Sequence, residues 1–325
     1  MRRILIPTKR LGGAMKKVKQ TGSGNKTTFK VYMQNYWQLY LMLVIPVIYM
    51  ILLRYKPMLG AIIAFKKFNI FAGIWDSPWV GLAHFKEAFS SRDFWNALKN
   101  TLILNLGDLI LGFPMPVLLA VFLFEIKNIS IRKATQTILY LPNFLSWVII
   151  AGIITQLFST SGLVNEIFRN MGMSEVNFLS SPFIWRFVYW FAGIWHDAGY
   201  SLIIYLAALT ATDPSLGEAA YIDGATRLQR IWHVTIPQIR PTISTLLIMQ
   251  LGKMVSIDFD RPYMMGNTLV KSASDVISTY VYSIGLQAAR FDFATAVGLF
   301  QSVVGIILVL SVNKISKKMG EGGIM

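Results

Sequence analysis

Six long apolar blocks constrain the fold of this chain more than any other feature. A membrane-spanning helix needs about 20 predominantly apolar residues, and a soluble domain has roughly a quarter of its residues charged. Here only 14% of the 325 residues are charged and 54% are hydrophobic. The sequence therefore predicts an all-α polytopic membrane protein with six transmembrane helices. The predicted spans are 36–53, 102–124, 137–158, 183–209, 242–257 and 293–312.

Lysine and arginine positions predict how these helices are oriented, because cytoplasmic loops carry an excess of both. Nine of them fall within residues 1–30, so we expect a cytoplasmic N-terminus. An even number of spans returns the C-terminus to the same side, where three lysines at 314–318 agree. The outer loops also hold Lys and Arg, so the rule supports this topology without fixing it. The sequence thus divides into a basic cytoplasmic tail, 1–30, and a transmembrane domain, 31–325.

The net charge of +15 indicates a membrane-oriented tail rather than a nucleic-acid site. No aromatic-interleaved soluble module is present to receive a nucleic acid, whereas a basic tail suits anionic lipid. No small-residue cleavage site follows the first span, which predicts an uncleaved anchor instead of a signal peptide.

The polar segment between the fourth and fifth predicted spans has its own helical pattern. Glu218-Ala219-Ala220 favours a helix, and Asp223-Gly224 is a turn signal. Apolar residues then recur at helical spacing until the chain meets Pro237 and Pro241, which are expected to end the run. The segment predicts two short helices joined at a glycine outside the bilayer, forming a docking surface.

This segment resembles the signature loop of permease subunits of ATP-binding-cassette (ABC) importers. The matching residues are Glu218, Ala219, Ala220, Asp223, Gly224, Ala225, Ile236 and Pro237. Further stretches are similar to the carbohydrate permeases of the LplB type, within the maltose-permease-like group. These stretches are 54–58, 64–66, 77–82, 112–116, 140–142, 146–148, 204–208 and 296–305.

The resemblance implies the fold of a binding-protein-dependent type I ABC importer permease, multi-pass in a bacterial plasma membrane. It implies that the loop at about 211–241, including Arg227, forms a coupling helix in a cleft of a cytoplasmic ATPase. Arg227 and Arg230 would pair with acidic residues of that ATPase or hold the inner leaflet, and the sequence does not choose between these.

The implied partners are a second permease in a heterodimer, ABC ATPase subunits and an extracytoplasmic sugar-binding protein. The implied solute is an oligosaccharide or modified sugar, with uronate-containing sugars among the candidates. ATP and Mg²⁺ would be bound by the ATPase, so no cofactor is expected in this chain.

Ionisable groups inside predicted spans are costly, at roughly 2.5–3.5 kcal/mol each on insertion scales, and so require a function or a partner. Asp108 belongs to the second span, and other polar and aromatic groups in the third to fifth spans suit a hydrated sugar path. The candidate path residues are Asn143, Trp147, Trp195, His196, Asp197, Tyr200, Tyr205, Gln250 and Lys253. The alternative is that these groups satisfy one another between helices, for example Asp197 with Lys253.

Two other function classes compete with the permease. A secondary transporter driven by an ion gradient would explain Asp108 and Asp197 but gives the polar loop no role, and no inverted repeat is visible. An intramembrane enzyme would need a paired catalytic set, and the adjacent His196 and Asp197 are expected to point to different faces of a helix. The chain has no cysteine, three separated histidines and no phosphate-loop motif. These absences argue against thiolate or histidine metal sites and against ATP hydrolysis by this chain.

Two questions stay open at the level of sequence. Prolines 46, 114, 116 and 142 fall inside predicted spans, where each is either a bending point for transport or a kink tolerated by packing. The outer segments 57–100, 159–182 and 258–292 either receive a solute-delivering partner or plug the helix bundle.

Overall fold

The computed structural model describes the backbone of residues 29–318, and regular structure in that range is helical. Two isolated antiparallel bridges, Lys66–Trp79 and Asn69–Gly73, are the exceptions. The all-α prediction is therefore confirmed for the described residues. The predicted basic tail lies outside them except for Phe29 and Lys30.

The described chain forms two units, one ending at Leu59 and one beginning at Gly60. The first unit contains α1 (Phe29–Met50) and α2 (Lys56–Met58). The helices of the second unit are α3 (Gly73–Asp76), α4 (Ala83–Ser90), α5 (Arg92–Gly107), α6 (Pro114–Phe124), α7 (Ile129–Tyr140), α8 (Trp147–Phe158), α9 (Leu163–Asn170), α10 (Pro182–Thr210), α11 (Pro214–Ile222), α12 (Arg227–Arg230), α13 (Ile236–Gly252), α14 (Asp260–Met265), α15 (Lys271–Ser274), α16 (Ile277–Tyr282) and α17 (Phe291–Lys318).

Four helical stretches of the described chain are long and apolar enough to cross a membrane. They are Tyr36–Phe65, Arg92–Phe124, Trp147–Asn170 and Phe291–Lys314. The predicted fourth span lies within α10, whose 29 residues reach about 44 Å at 1.5 Å per residue. Its Arg, His and Asp, together with several Trp and Tyr, lower its mean hydropathy. The predicted fifth span lies mostly within α13, which ends at Gly252 rather than at 257.

The predicted third span, 137–158, is wrong as a single helix. The chain leaves the helical path after Tyr140, makes a 3₁₀ turn at Leu141–Phe144 and re-enters a helix at Trp147. Pro142 lacks an N–H for the α-helical ladder, and Ser146 adopts extended backbone at the cap of α8. Pro142 therefore separates two helices instead of kinking one.

Wide helical turns precede three of the prolines. π turns at Ile51–Tyr55, Asp108–Gly112 and Ile231–Thr235 each end two residues before Pro57, Pro114 or Pro237. A proline ring clashes with the carbonyl four residues earlier, and a wider turn relieves that clash. The expectation that Pro237 and Pro241 end a helix is therefore wrong, because Pro237 lies in the first turn of α13 and Pro241 inside it.

Helix α10 is the centre of the packed second unit. Its first half buries Trp185 and Tyr189 against α8 and the segment from α14 to α15. Its second half buries Leu202 and Leu209 against α6 and the start of α13. A third cluster, around Phe94, joins α4 and α5 to α16 and α17. Because α10 contributes to two of the three clusters, the polar groups along it are held in fixed positions.

Candidate functional site

A cavity of about 420 Å³ opens beside α10 and contains most of the predicted path residues. Six of them line it: Asn143, Asp197, Tyr200, Tyr205, Gln250 and Lys253. Asp108, Asp258 and Arg261 line it as well. The cavity, called the central cavity below, thus offers tyrosine rings, two side-chain amides and charged groups of both signs. That lining can bind a polyhydroxylated solute.

Arg261 is the residue that sequence reasoning missed. Its side chain is buried, and its two terminal nitrogens donate to Asp108 Oδ2 at 2.9 Å and Oδ1 at 3.2 Å. The second nitrogen also donates to the Tyr189 carbonyl at 2.6 Å, and the guanidinium lies 3.7 Å from the centroid of the Tyr189 ring. Bidentate pairing of this kind fixes both position and orientation. Asp108 is thus neutralised by a partner on α14 and ties that short helix to the α5–α6 junction.

Gly193 makes room for this ion pair. A Cβ at that position would lie 2.2 Å from Arg261 Nη2 and 2.3 Å from Cζ, far inside contact distance. The missing side chain on α10 is therefore what lets the guanidinium reach both Asp108 and the Tyr189 carbonyl. The sequence shows an acid in span two, a glycine in span four and an arginine after span five, but no sequence pattern indicates that these three residues meet.

Three predicted path residues lie outside the central cavity. His196 is buried, with Nδ1 2.5 Å from Asp197 Oδ1 and Nε2 3.2 Å from the Leu145 carbonyl. Trp147 packs on His196, with ring centroids 4.4 Å apart. Trp195 is 37% exposed and does not line the cavity.

Two expectations about these groups are corrected. The polar atoms of His196 and Asp197 meet although the residues are adjacent, so they do not simply point to different faces of the helix. Asp197 also takes His196 as its partner, and no ion pair joins it to Lys253 among the described residues. The side chains therefore divide into a supporting group, which includes His196 and Trp147, and a lining group, which includes Asp197 and Lys253.

The polar loop after α10 contains the first predicted short helix, whereas the second continues without a break through the π turn at Ile231–Thr235 into α13. Glu218, Ala219 and Ala220 lie on α11, and Arg227 begins α12. Ile236 and Pro237 begin α13. Asp213 caps α11 by accepting from the Ser215 N–H at 2.9 Å, and this hydrogen bond holds the pKa of Asp213 below its usual range.

Gly224 makes the sharp turn between the two helices. Its φ of +82° is in the left-handed region, which side-chain-bearing residues avoid. The Ala225 N–H reaches back to the Ala220 carbonyl at 3.0 Å, and Asp223 is the C-cap of α11. Thr226 and Gln229 then form a capping box that starts α12. The turn thus begins at the C-cap residue Asp223 and ends at the N-cap residue Thr226, and threonine is a residue type common at N-caps.

Arg227 and Arg230 have partners inside this chain. Arg227 Nε donates to Glu125 Oε2 at 2.8 Å, which ties α12 to the end of α6. The Arg230 guanidinium lies 5.2 Å from the Tyr221 ring centroid. The Arg227 side chain remains 63% exposed, so it can also meet a second protein or lipid.

The loop presents apolar side chains that the chain itself does not cover. Leu216, Tyr221, Ile222, Leu228 and Trp232 are each more than half exposed. A cavity of about 800 Å³ lies beside them, with Glu125, Asp213 and Glu218 among its lining residues. An exposed apolar patch with a polar rim is typical of a protein–protein contact.

Comparison with curated proteins identifies close relatives over most of the chain. The polygalacturonan/rhamnogalacturonan transport system permease protein YteP of Bacillus subtilis is 43% identical over 296 residues, covering 91% of this chain and 92% of YteP. Protein LplB of the same organism is 39% identical over 287 residues, covering 88% of this chain and 90% of LplB. The resemblance to LplB-type permeases is confirmed.

Solved structures share the fold. A bacterial ABC transporter involved in the import of the acidic polysaccharide alginate has a chain 41% identical, with a TM-score of 0.83 and coverage of 89% of this chain and 98% of that one. A bacterial alginate ABC transporter in complex with an alginate pentasaccharide-bound periplasmic protein matches with 40% identity and a TM-score of 0.84, covering 92% and 100%. Residues 91–319 match the family described as binding-protein-dependent transport system inner membrane component. Taken with the all-helical fold and the membrane-length apolar helices, these matches establish that the chain belongs to the family of binding-protein-dependent transport system inner membrane components.

Proposed function

We propose that this chain is a transmembrane permease subunit of an ABC importer for an oligosaccharide or modified sugar. The observation that carries the proposal is its similarity to YteP, which extends over 91% of the chain. The relatives named for polygalacturonan/rhamnogalacturonan and for alginate support a uronate-containing solute among the candidates. The central cavity, with its tyrosines, amides and charges, supports passage of such a solute between the helices.

The six-span topology, with both termini in the cytoplasm of a bacterial cell, is part of the proposal. The four apolar helical stretches supply the first, second, third and sixth spans, and α10 and α13 supply the fourth and fifth. The clustering of positive charge at both ends of the sequence supports this orientation. On this topology the loop at 211–241 faces the cytoplasm.

In this proposal the loop couples transport to ATP hydrolysis in a separate ATPase. Glu218, Asp223 and the residues around Gly224 would form the surface that sits in the ATPase cleft, with Tyr221 and Ile222 as apolar contacts. The link from Arg227 to Glu125 would pass movement of the loop to α6, which packs on α10. A rigid-body shift of this kind is a common route to alternating access.

The remaining partners follow from the same assignment. A second, related permease completes the pathway, and ATP and Mg²⁺ bind to the ATPase subunits rather than here. The periplasmic protein in the solved alginate complex supports delivery of the solute by an extracytoplasmic sugar-binding protein. The second permease would cover apolar surface of the helices that this chain leaves exposed.

ATP hydrolysis by the complete complex in liposomes tests the function. This chain, its sister permease and its ATPase are reconstituted, and binding proteins loaded with different oligosaccharides are added in turn. The proposal predicts that one loaded binding protein stimulates hydrolysis and that Gly224→Asp abolishes the stimulation while the chain still inserts. Solute uptake that follows an ion gradient and ignores ATP would instead favour a secondary transporter.

A further inference from the structure

Helix α14 contributes residues to the lining of two cavities. Arg261 lines the central cavity, where it is bonded to Asp108. Pro262 and Tyr263, the next residues along, line a different cavity of about 300 Å³. The other residues lining this second cavity, here called the α14 pocket, are Gly266, Asn267, Thr268, Lys271, Ser274, Asp275 and Thr279. One six-residue helix thus contributes to both cavities, and the residues that it contributes, Arg261 to one and Pro262 and Tyr263 to the other, are less than one helical turn apart.

A cluster of three aromatic rings supports the α14 pocket. Tyr263 stacks on Phe259, with ring centroids 4.6 Å apart and planes 26° apart. Tyr282 packs against Tyr263 edge-on at 5.3 Å and against Phe259 at 4.8 Å. Tyr263 is nevertheless 41% exposed. Because the neighbouring rings already restrict the Tyr263 side chain, a ligand that packs on it causes little further loss of side-chain conformational entropy.

The polar groups of the pocket divide into those that hydrogen-bond within the described chain and those that do not. Asn267 donates to the Leu179 carbonyl and accepts from the Leu269 N–H, both at 2.9 Å, and so shapes the pocket wall. Asp275 accepts from the Thr279 hydroxyl at 2.6 Å. Thr268 and Lys271 are exposed, and their side chains make no hydrogen bond within the described chain. The pocket therefore offers a hydroxyl and an ammonium beside an aromatic face, and the ammonium of Lys271 interacts with the Asp275 carboxylate in the same lining.

An aromatic face next to hydrogen-bond donors matches the chemistry of a pyranose ring. Such a ring has an apolar C–H face, which packs on aromatic side chains, and oxygen substituents that accept from donors such as Lys. We propose that the α14 pocket binds one pyranose unit of an oligosaccharide whose neighbouring units occupy the central cavity. This inference rests on the proposed function and adds a second sugar subsite to it. A disaccharide can fill one site alone, whereas a longer chain spans both.

Dependence on sugar length tests the subsite in the reconstituted complex. Uptake of digalacturonate and pentagalacturonate, each supplied on the same binding protein, is measured for Tyr263→Ala, Tyr263→Phe and Trp79→Ala. Trp79 is the matched control because it is also exposed and stacked, at 5.8 Å on Phe65, but lines no described pocket. Tyr263→Ala should raise the apparent KM for the pentasaccharide by roughly 2- to 12-fold, the range expected for one aromatic contact. Tyr263→Phe, which keeps the ring, and the control should match the wild type.

Each other outcome has a defined meaning. An equal rise for both sugars with Tyr263→Ala would overturn the subsite and assign the surface to the binding protein, which contacts the complex whatever its load. Equal behaviour of Tyr263→Ala and Trp79→Ala on the pentasaccharide would also overturn it, while leaving the proposed function intact. Failure of the wild-type complex to take up either sugar would overturn the subsite and count against the proposed function.

Discussion

Removing Arg261 should destabilise the permease mainly because it strands a buried carboxylate. Arg261→Met removes three hydrogen bonds, two to Asp108 and one to the Tyr189 carbonyl, and a cation–π contact with the Tyr189 ring. Breaking a buried ion pair by deleting one partner costs about 3–5 kcal/mol. Both side chains are at least four-fifths buried, so solvent relieves little of that cost. We therefore expect the free energy of unfolding to fall by about 3–5 kcal/mol.

The same reasoning predicts that removing both charges is far less harmful than removing one. Replacing a buried pair by apolar groups of similar volume is often neutral. Asp108→Leu combined with Arg261→Met should therefore recover most of the loss, to within about 2 kcal/mol of the wild type. Equilibrium unfolding of the purified permease in mixed detergent micelles, followed by circular dichroism, measures all four members of this cycle. A double variant no more stable than Arg261→Met alone would refute the claim that these charges neutralise each other.

Three further predictions concern other parts of the chain. Gly193→Ala places a Cβ 2.2 Å from Arg261 Nη2 and should lower the unfolding midpoint in detergent, whereas Gly152→Ala, on α8 with open space around it, should not. Thr226→Ala removes the capping box of α12 and should cost about 1 kcal/mol, measured as faster hydrogen exchange in that helix than in α11. Glu87 is bonded to Arg290, whose hydrogen bond holds the pKa of this carboxyl below its usual value of 4.5. The stabilisation of the fold by the Glu87–Arg290 pair is therefore present above about pH 4.5, and it is lost as the pH falls through the lower pKa that Glu87 has in the folded state. Because both side chains are more than 40% exposed, its size should be at most about 1 kcal/mol. Thermal melts against pH should show this acid-side loss in the wild type and lack it in Glu87→Gln.

Local sequence signals predicted the first helices of the 211–241 loop because each signal acts on its immediate neighbours. The Asp223-Gly224 turn and the helix-forming residues before it are contiguous, and the structure has α11 and α12 where they indicate. The break at Pro142 was also readable, since proline interrupts the helical hydrogen-bond ladder and Ser146 is a residue type common at N-caps, although its side chain makes no capping hydrogen bond here. The prediction of a single span passes over it because Asn143 and Ser146 are the only polar residues between the two apolar runs.

The arrangement of the central cavity could not be predicted in the same way. Asp108 and Arg261 are 153 residues apart, and their pairing depends on how α14 packs against α10. The side chains that turn into the cavity, such as Tyr200, are chosen by that packing rather than by residue type. The adjacent pair His196 and Asp197 illustrates this, because only Asp197 lines the cavity although both are polar.

The central claim, that the 211–241 loop is the surface on which the ATPase acts, is tested most directly by site-specific cross-linking. The chain has no cysteine, so a single introduced thiol, labelled before the complex is assembled, can carry a photoreactive maleimide without background from this chain. Ile222 is 82% exposed on the loop, and Phe71, 99% exposed in the predicted outer segment 57–100, is the matched control. Illumination of the assembled complex should join Ile222→Cys, but not Phe71→Cys, to the ATPase subunit. No adduct at position 222, or equal adducts at both positions, would contradict the account.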